Sequence, residues 1–448
     1  MKAFLVFLFL LLAFFSSLCG AANLQFDPIR SLTAGYPGDR PDQPRVAYNS
    51  RHNEYLVVYQ YHNDILAGPD QIHAARLSAD GKYIANFVIS DLPHDCRQPD
   101  VDYDPVRDRY LVVWSYDRNG DGANWDIHGR FVPRNGPVAS LASMKIGGFA
   151  TWNETSPRLA YGAVDQDFFV VSDLTFDNAR QPSIVGFRVP ADGSPSWYFM
   201  TIHEDTYQQS RMHPDITYNP TLDEYLVVYD DTLDVSGQLF LGHATYGQFY
   251  NITYIGLAIT ELLPPAAPLP GIHMFPGVAF SRSANYYIIV WNTMTTSGGR
   301  DIYARYYPGG YPQPQPETVH IERLDNSTDQ DFVPTVGCTT GGPGCLALWI
   351  VNHNSSLHTF GREIVLKSDA SGELTGHATG FFAPLDNLGA TSSWTNSHPF
   401  VAIAGGRKNY YLGFTGKSAN AINVYGRNTV FHPFPWPMFL PAIINGKK

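Results

Sequence analysis

One phrase constrains this chain more than any other feature: RQPDVDYDPVRDRYLVVW at residues 97–114 returns as RMHPDITYNPTLDEYLVVY at residues 211–229. A recurring pattern marks a repeat architecture, in which each copy is one supersecondary unit that buries its core only against its neighbours. Aligned on the proline, four clear copies begin at Gln43, Gln98, Ser156 and His213, and three degenerate ones at Phe275, Val333 and His398. The prolines, Pro44, Pro99, Pro157, Pro214, Pro276, Pro334 and Pro399, lie 55 to 65 residues apart. Spacing inside a copy is stricter: Tyr48 and Tyr55, Tyr103 and Tyr110, Tyr161 and Phe168, Tyr218 and Tyr225, Phe280 and Tyr287, Cys338 and Cys345, and Ile403 and Tyr410 are all seven apart. That constancy predicts a hairpin of fixed loop length with the two positions facing each other across the strands.

A third strand follows each hairpin, as in IHAARL from Ile72, IHGRFV from Ile127 and IYARYY from Ile302, and a turn such as SADGK then leads to a fourth, YIANFVIS. Seven such four-stranded antiparallel blades predict an all-β fold, a seven-bladed β-propeller, in which radial repetition leaves only short protected edges. The last copy has no obvious fourth strand before the Pro-rich FHPFPWPMFLP. Residues 24–33 are therefore expected to supply it, pairing in the last blade and closing the ring. Most of the motif then reads as fold chemistry: proline suits the first residue of a strand, Asn-Pro or Asp-Pro makes a turn, and the aromatics pack between blades. The expected organisation is a signal peptide over 1–22, one propeller over 23–430 and a Pro-rich tail over 431–448.

Composition agrees, with Tyr 27, Phe 27, Gly 39 and Pro 33 favouring strands and turns over long helices. The N-terminal MKAFLVFLFLLLAFFSSLCGAAN has a lysine, an apolar run and small residues, the pattern of a cleaved secretory signal. Cleavage near Ala22 is expected, with a lipoprotein anchored at Cys19 as the lesser reading, so the product is secreted. No later stretch has the length and apolarity of a membrane span. A net charge of -11 argues against nucleic acid as partner, because phosphate binding needs clustered Lys and Arg.

These repeats resemble those of secreted bacterial proteins built from degenerate Tyr-Leu-Val-Val-Trp propeller repeats, over roughly residues 24–430. The resemblance implies a fold and an extracellular setting but no defined reaction, since propellers host many unrelated functions. The Ser-x-Asp-x-Gly-x-Thr-Trp box of sialidase propellers is absent, SADGK from Ser78 being only a fragment of it.

In a propeller the inner strands converge on a central channel, whose mouth is the default ligand site. Residues flanking the prolines should line it: Gln43, Arg45, Gln98, Asp100, Arg158, His213, Asp215 and His398 are the expected ligand contacts. Arg45, Asp100, Arg158 and Asp215 alternate in sign, which predicts bridges from Arg45 to Asp100 and from Arg158 to Asp215 that would hold both carboxyls low. The sharper reading makes Asp100 and Asp215 a carboxylate pair flanking a glycosidic bond, which requires a raised pKa on one of them. His213 and His398 share one position in the fourth and seventh copies without a third metal ligand in register.

In SYDRNGDGANWD from Ser115, Asp117, Asn119, Asp121 and Gly122 spell the first half of a calcium loop, with Asp126 as substitute for the distal Glu. A solvated turn is the alternative, and any calcium is expected to be structural rather than a required cofactor. Cys338 and Cys345 occupy the aromatic cross-strand pair of the sixth hairpin and are expected to form a disulfide, in a compartment that permits one. Cys96 is left odd. Trp125, Trp152, Trp197 and Trp394 could stack on sugar rings, though blade packing explains them as well. Sequons at Asn153, Asn251, Asn326 and Asn354 matter only in a glycosylating pathway. No nucleophile, base and oxyanion set is legible. The sequence therefore favours a secreted module that binds an extracellular glycan or protein, with a polysaccharide hydrolase or lyase using Asp100, Asp215, His213 and His398 as the alternative.

Overall fold

The computed structural model describes residues 24–33, 38–65, 68–148, 152–176, 182–194, 198–203, 210–231, 234–241, 254–258, 272–294, 298–309, 321–325, 329–342, 344–353, 356–366, 378–382, 401–418 and 421–431. The expected leader lies outside these residues, as do the expected tail after Phe431, which ends a strand, and His398, Trp197, Trp394, Asn251, Asn326 and Asn354. The regular elements described are all strands, and no described helix is long and apolar enough to cross a membrane.

Each sequence copy folds into a sheet whose strands pair in chain order. The first copy runs Asp42–Asn49, Glu54–Tyr61, Gln71–Ser78, Tyr83–Val88, and the second Cys96–Asp104, Arg109–Asp117, Trp125–Pro133, Met144–Gly147. The third runs Trp152–Gly162, Asp167–Phe176, Ser183–Pro190, Tyr198–His203, and the fourth Arg211–Asn219, Glu224–Asp231, Asp234–Leu241, Tyr254–Ala258. Ile272–Ser281, Tyr286–Met294, Arg300–Pro308 and Ile321–Arg323 form the fifth; Gln330–Cys338, Gly344–His353, Ser356–Val365 and Ala378–Phe382 form the sixth. A single parallel pair, Arg300 with Gln330, joins these last two into one continuous sheet. The seventh copy supplies Val401–Gly405, Tyr410–Ser418 and Ala421–Phe431, and its outer edge is completed from the N-terminus: Leu24–Phe26 and Arg30–Ser31 both pair antiparallel with Ala421–Phe431.

The hairpin register is as predicted for six copies, from Tyr48 opposite Tyr55 to Cys338 opposite Cys345. The seventh departs by one residue. Tyr410 faces Gly405 and Ile403 faces Leu412, so Tyr411 takes the aromatic place and lies 5.2 Å from Tyr55, ring centroid to centroid. Turn chemistry repeats with the strands. The side chains of Asn49, Asp104 and Asn219 accept the backbone amide two residues on, while the tyrosine hydroxyls of Tyr48, Tyr103 and Tyr218 donate to Asn53, Asp108 and Asp223, which hold φ between 52° and 55°.

Second strands are buried on both faces, which is why Tyr-Leu-Val-Val reads as a continuous apolar run rather than an alternating one. They pack between sheets. One apolar cluster links each successive pair of copies, and a further one joins Tyr55, Val57 and Leu77 of the first copy to Tyr411 and Val424 of the seventh. Cys96 sits in the cluster between the first two copies, wholly buried, where burial pushes its thiol up to about 12 and leaves it an inert core group.

Charge also spans the copies. Glu54 of the first copy receives Arg76 at 2.8 and 3.0 Å and Arg134, beyond the second copy's third strand, at 3.0 and 2.5 Å. Burial pushes the Glu54 carboxyl up, but the two guanidinium groups outweigh it and hold it at about 2. A depressed carboxyl stabilises the fold above its unfolded value and loses that contribution as pH falls through the folded one. Glu54→Gln should therefore cost on the order of 2 kcal/mol at neutral pH. In urea unfolding, its deficit against wild type should close between pH 4.5 and about 2.

Candidate functional site

The first strands carry one irregularity at a common place. Pairing with the second strand skips two residues, Gln43-Pro44 between Asp42 and Arg45, and the same skip recurs at Gln98-Pro99, Ser156-Pro157, His213-Pro214, Phe275-Pro276 and Val333-Pro334. The expectation that proline begins the strand is corrected here. Pro44 is the third residue of its strand, sitting in a bulge where its missing N–H leaves no gap in the ladder. Each residue before the proline holds φ between 43° and 55°, a left-handed conformation costing on the order of 1–3 kcal/mol for a side chain such as Val333 or Phe275.

The neighbouring copy secures several of these bulges. His213 N donates to Asp173 Oδ1 at 2.9 Å, Phe275 N to Asp230 Oδ1 at 2.7 Å and Ser156 N to Ser115 Oγ at 3.2 Å. In the first copy Gln43 N is held by Asp42 Oδ1, which accepts Thr415 Oγ1 of the seventh copy at 3.1 Å. Ser115, Asp173 and Asp230 each lie five residues after the cross-strand aromatic. That recurring polar place at the end of an apolar run was the available signal, and it went unread.

The bulges turn their flanking residues into a cavity of about 490 Å³ lined by the first strands of all seven copies. Gln43, Arg45, Gln98, Asp100, Arg158, His213 and Asp215 are all on its wall, as expected; His398 lies outside the described residues. Arg45 Nε stands 3.8 Å from Asp100 Oδ1, the predicted bridge, with the two side chains 20% and 13% exposed to the cavity. The second predicted bridge does not form. Arg158 donates instead to the Pro157 carbonyl at 2.7 Å and acts on Asp215 only through space.

Both aspartates face two ways. Asp100 Oδ2 accepts Leu159 N of the third copy at 3.0 Å, and Asp215 Oδ2 accepts Val278 N of the fifth at 2.8 Å. Asp102, unnoticed in the sequence, does the same for Tyr161 N at 2.7 Å. The expected direction of their pKa is reversed. Burial pushes Asp215 up to about 6 against the attraction of Arg158, with Asp100 adding repulsion, and burial likewise raises Asp100 despite Arg158 and Arg45. Arg45 is lowered to about 10 by burial and by the like charge of Arg158, and so remains cationic at neutral pH.

His213 completes the wall. Its Nδ1 lies 2.6 Å from Asp230 Oδ2 and its ring lies 4.4 Å from that of Phe275, tilted by 46°, while its side chain stays 38% exposed. Burial alone would lower its pKa, but Asp230 and Asp173 outweigh burial and raise it.

The oxygens of the Ser115 loop have protein partners. Asp117 caps the Gly120 and Gly122 amides at 3.0 and 2.7 Å, Asp121 caps Ala123 N with Asn119 and Asn124 beside it, and Asp126 is held by Arg118 and Lys145 at 2.8 and 2.9 Å. Among the described residues no three His, Cys, Asp or Glu side chains gather as metal ligands. These contacts with amides and cations are those of a tight Asn/Gly/Asp turn. Cys338 and Cys345 do form the expected disulfide. Trp125 donates to the Gly122 carbonyl beneath Arg97, 5.4 Å from its ring, and Trp152 packs into the cluster between the second and third copies.

No known family profile matches the chain, and no curated protein sequence matches it. Among solved structures it is similar to polysaccharide lyase Uly1, with a TM-score of 0.51 and 10% identity over 87% of this chain and 90% of that one. It also overlaps an alpha-l-arabinofuranosidase from Fusarium graminearum, TM-score 0.48 and 13% identity over 72% and 92%, and Trypanosoma rangeli sialidase, TM-score 0.46 and 7% identity over 75% and 58%. At these identities the likeness is one of fold.

A raised carboxyl opposes folding once it ionises: its contribution is complete below the unfolded value, near 3.8, and lost as pH rises through about 6. Asp215→Asn keeps an oxygen for Val278 N and removes the charge. The variant should match wild type at pH 4 and exceed it at pH 8 by on the order of 2 kcal/mol in chemical denaturation.

Proposed function

We propose that the sheets close into a seven-bladed propeller and that the chain is an exported, polysaccharide-active enzyme, a hydrolase or lyase, working in the central cavity. Closure is supported by the N-terminal strands on the seventh copy's sheet and by the apolar cluster joining first and seventh copies. The leader-like N-terminus and the disulfide support export. This reverses the preference for a binding module drawn from sequence alone.

The observation that carries the enzymatic reading is Asp215. It stands on an open cavity with its carboxyl pushed to about 6, near enough to Asp100 and Arg158 for both to act on it. A general acid for glycosidic cleavage must retain its proton near neutral pH while its partner carboxylate stays ionised. In that reading Asp215 protonates the leaving oxygen, Asp100 supplies the negative charge, and Arg45 and Arg158 position the sugar's oxygens. For a lyase the same arginines would neutralise a uronate carboxylate, and His213, oriented by Asp230, would take the proton α to it. Similarity of fold to Uly1, a polysaccharide lyase, points to the same substrate class.

One observation favours binding without catalysis: Asp100 and Asp215 each already hold a backbone amide of the next copy, which suits a structural carboxylate. The test is incubation of the purified chain with neutral and uronate-rich polysaccharides, following reducing ends and the ultraviolet absorbance of an unsaturated product. Hydrolysis raises the first alone, and elimination raises both. Asp215→Asn and Asp100→Asn are expected to lower kcat/KM of a hydrolase by about 100-fold or more, and His213→Gln that of a lyase. Retention of a polysaccharide that is never cleaved would restore the binding reading.

A further inference from the structure

The seam between the fifth and sixth copies buries two acidic side chains beside each other. Asp325 and Asp331 are wholly buried, as is Asn292. Both carboxylate oxygens of Asp331, and Oδ1 of Asn292, meet no hydrogen-bond donor, while Asn292 Nδ2 donates to the Asp331 carbonyl. Trp349 Nε1 donates to Asp325 Oδ2 at 3.3 Å. The Asp331 carboxyl lies within hydrogen-bond reach of Asp325. Burial, and then the charge of Asp325 and its acidic neighbours, push it up to about 10.

Repetition supplies the control. At the seam of the first two copies, Ile89 N and Ser90 N both donate to the Ile72 carbonyl; at this one Leu324 N and Asp325 N donate likewise to Ile302. Asp325 thus stands where Ser90 stands. Asp331, two residues before the bulge residue Val333, stands where Cys96 stands before Gln98, and Trp349 corresponds to Trp114. In the first seam the place is filled by a neutral thiol beside Ser90 and Trp114. That seam closes without a carboxylate at either place, and the second and third copies meet with one, Glu154, at the Asp331 place and Gly148 near the Asp325 place, so the repeat does not explain the pair at Asp325 and Asp331.

We propose that Asp325, Asp331 and the Asn292 amide oxygen hold a divalent cation at this seam, beside the Arg300 and Gln330 pair that fuses the two sheets. Two apposed carboxylates in a dry interior repel each other, and a cation between them converts that repulsion into cross-linking. An all-oxygen set of carboxylates and an amide, with no thiolate or imidazole, selects a hard ion of the calcium class over zinc or copper. Backbone carbonyls or water complete the coordination. Such an ion binds only the folded chain and so stabilises it by mass action.

The test uses the purified full chain dialysed against a chelator, then titrated with calcium, and separately with terbium under tryptophan excitation. Calcium should raise the melting temperature saturably by several degrees. Terbium should luminesce through Trp349 and be displaced by calcium, and Asp331→Asn should abolish both responses. Trp349→Phe should keep the calcium shift and lose most of the emission. If Asp331→Asn does not fold, Asp325→Asn replaces it, and equilibrium dialysis of wild type should find one calcium per chain. A wild type indifferent to both ions overturns the site. So does a calcium shift that survives Asp331→Asn, or a variant more stable than wild type with and without calcium, the mark of two carboxyls sharing a proton.

Discussion

The structure depends on one contact: a polar side chain at the end of one copy's second strand capping the bulge amide of the next copy. The X-Pro bulge leaves that amide outside its own ladder, in a backbone conformation a side chain tolerates poorly. Asp173 and Asp230 supply the missing acceptor from next door. A buried amide without an acceptor would cost on the order of 1–3 kcal/mol, so the bulges at His213 and Phe275 depend on the company of their neighbours. The same bulges aim Arg45, Asp100, Arg158 and Asp215 at the centre. Cohesion between sheets and the composition of the cavity wall therefore have one cause.

Electrostatics follows from where each carboxyl sits in this frame. Glu54, between two arginines, is held far below its ordinary value, whereas Asp215, with Arg158 and Arg45 acting only through space, is driven above its own. Counting opposite charges along the first strands would treat the two cases alike. What separates them is direct contact: a guanidinium at 2.8 Å outweighs desolvation, and one that bonds elsewhere does not.

The sequence made the hairpins legible because their contacts are local: seven residues separate Tyr48 from Tyr55, and the interval recurs. Cys338 and Cys345 were readable for the same reason. The N-terminal strand in the last sheet was legible by subtraction, since one copy lacked a strand and one segment lacked a sheet. Contacts between copies were not legible. Asp102 and Asp230 act on amides more than forty residues away, and nothing in their immediate surroundings announces it. The Asp117 loop is ambiguous in sequence for the complementary reason: calcium loops and capped turns use the same residues. The seventh hairpin slipped by one because Tyr410 and Tyr411 are adjacent and both buried, and spacing alone cannot choose between them.

Pairing of Leu24–Phe26 with Ala421–Phe431 gives the fold a timetable. Of the described strands, the first to emerge in synthesis belongs to the sheet that is finished last, so it waits through nearly four hundred residues for its partner. A chain threaded outward through a membrane pore, N-terminus leading, would keep that sheet open until the seventh copy had passed. A circular permutant, opened in the loop between the first and second copies and joined at the seventh, would keep every described sheet and lose only this order of assembly.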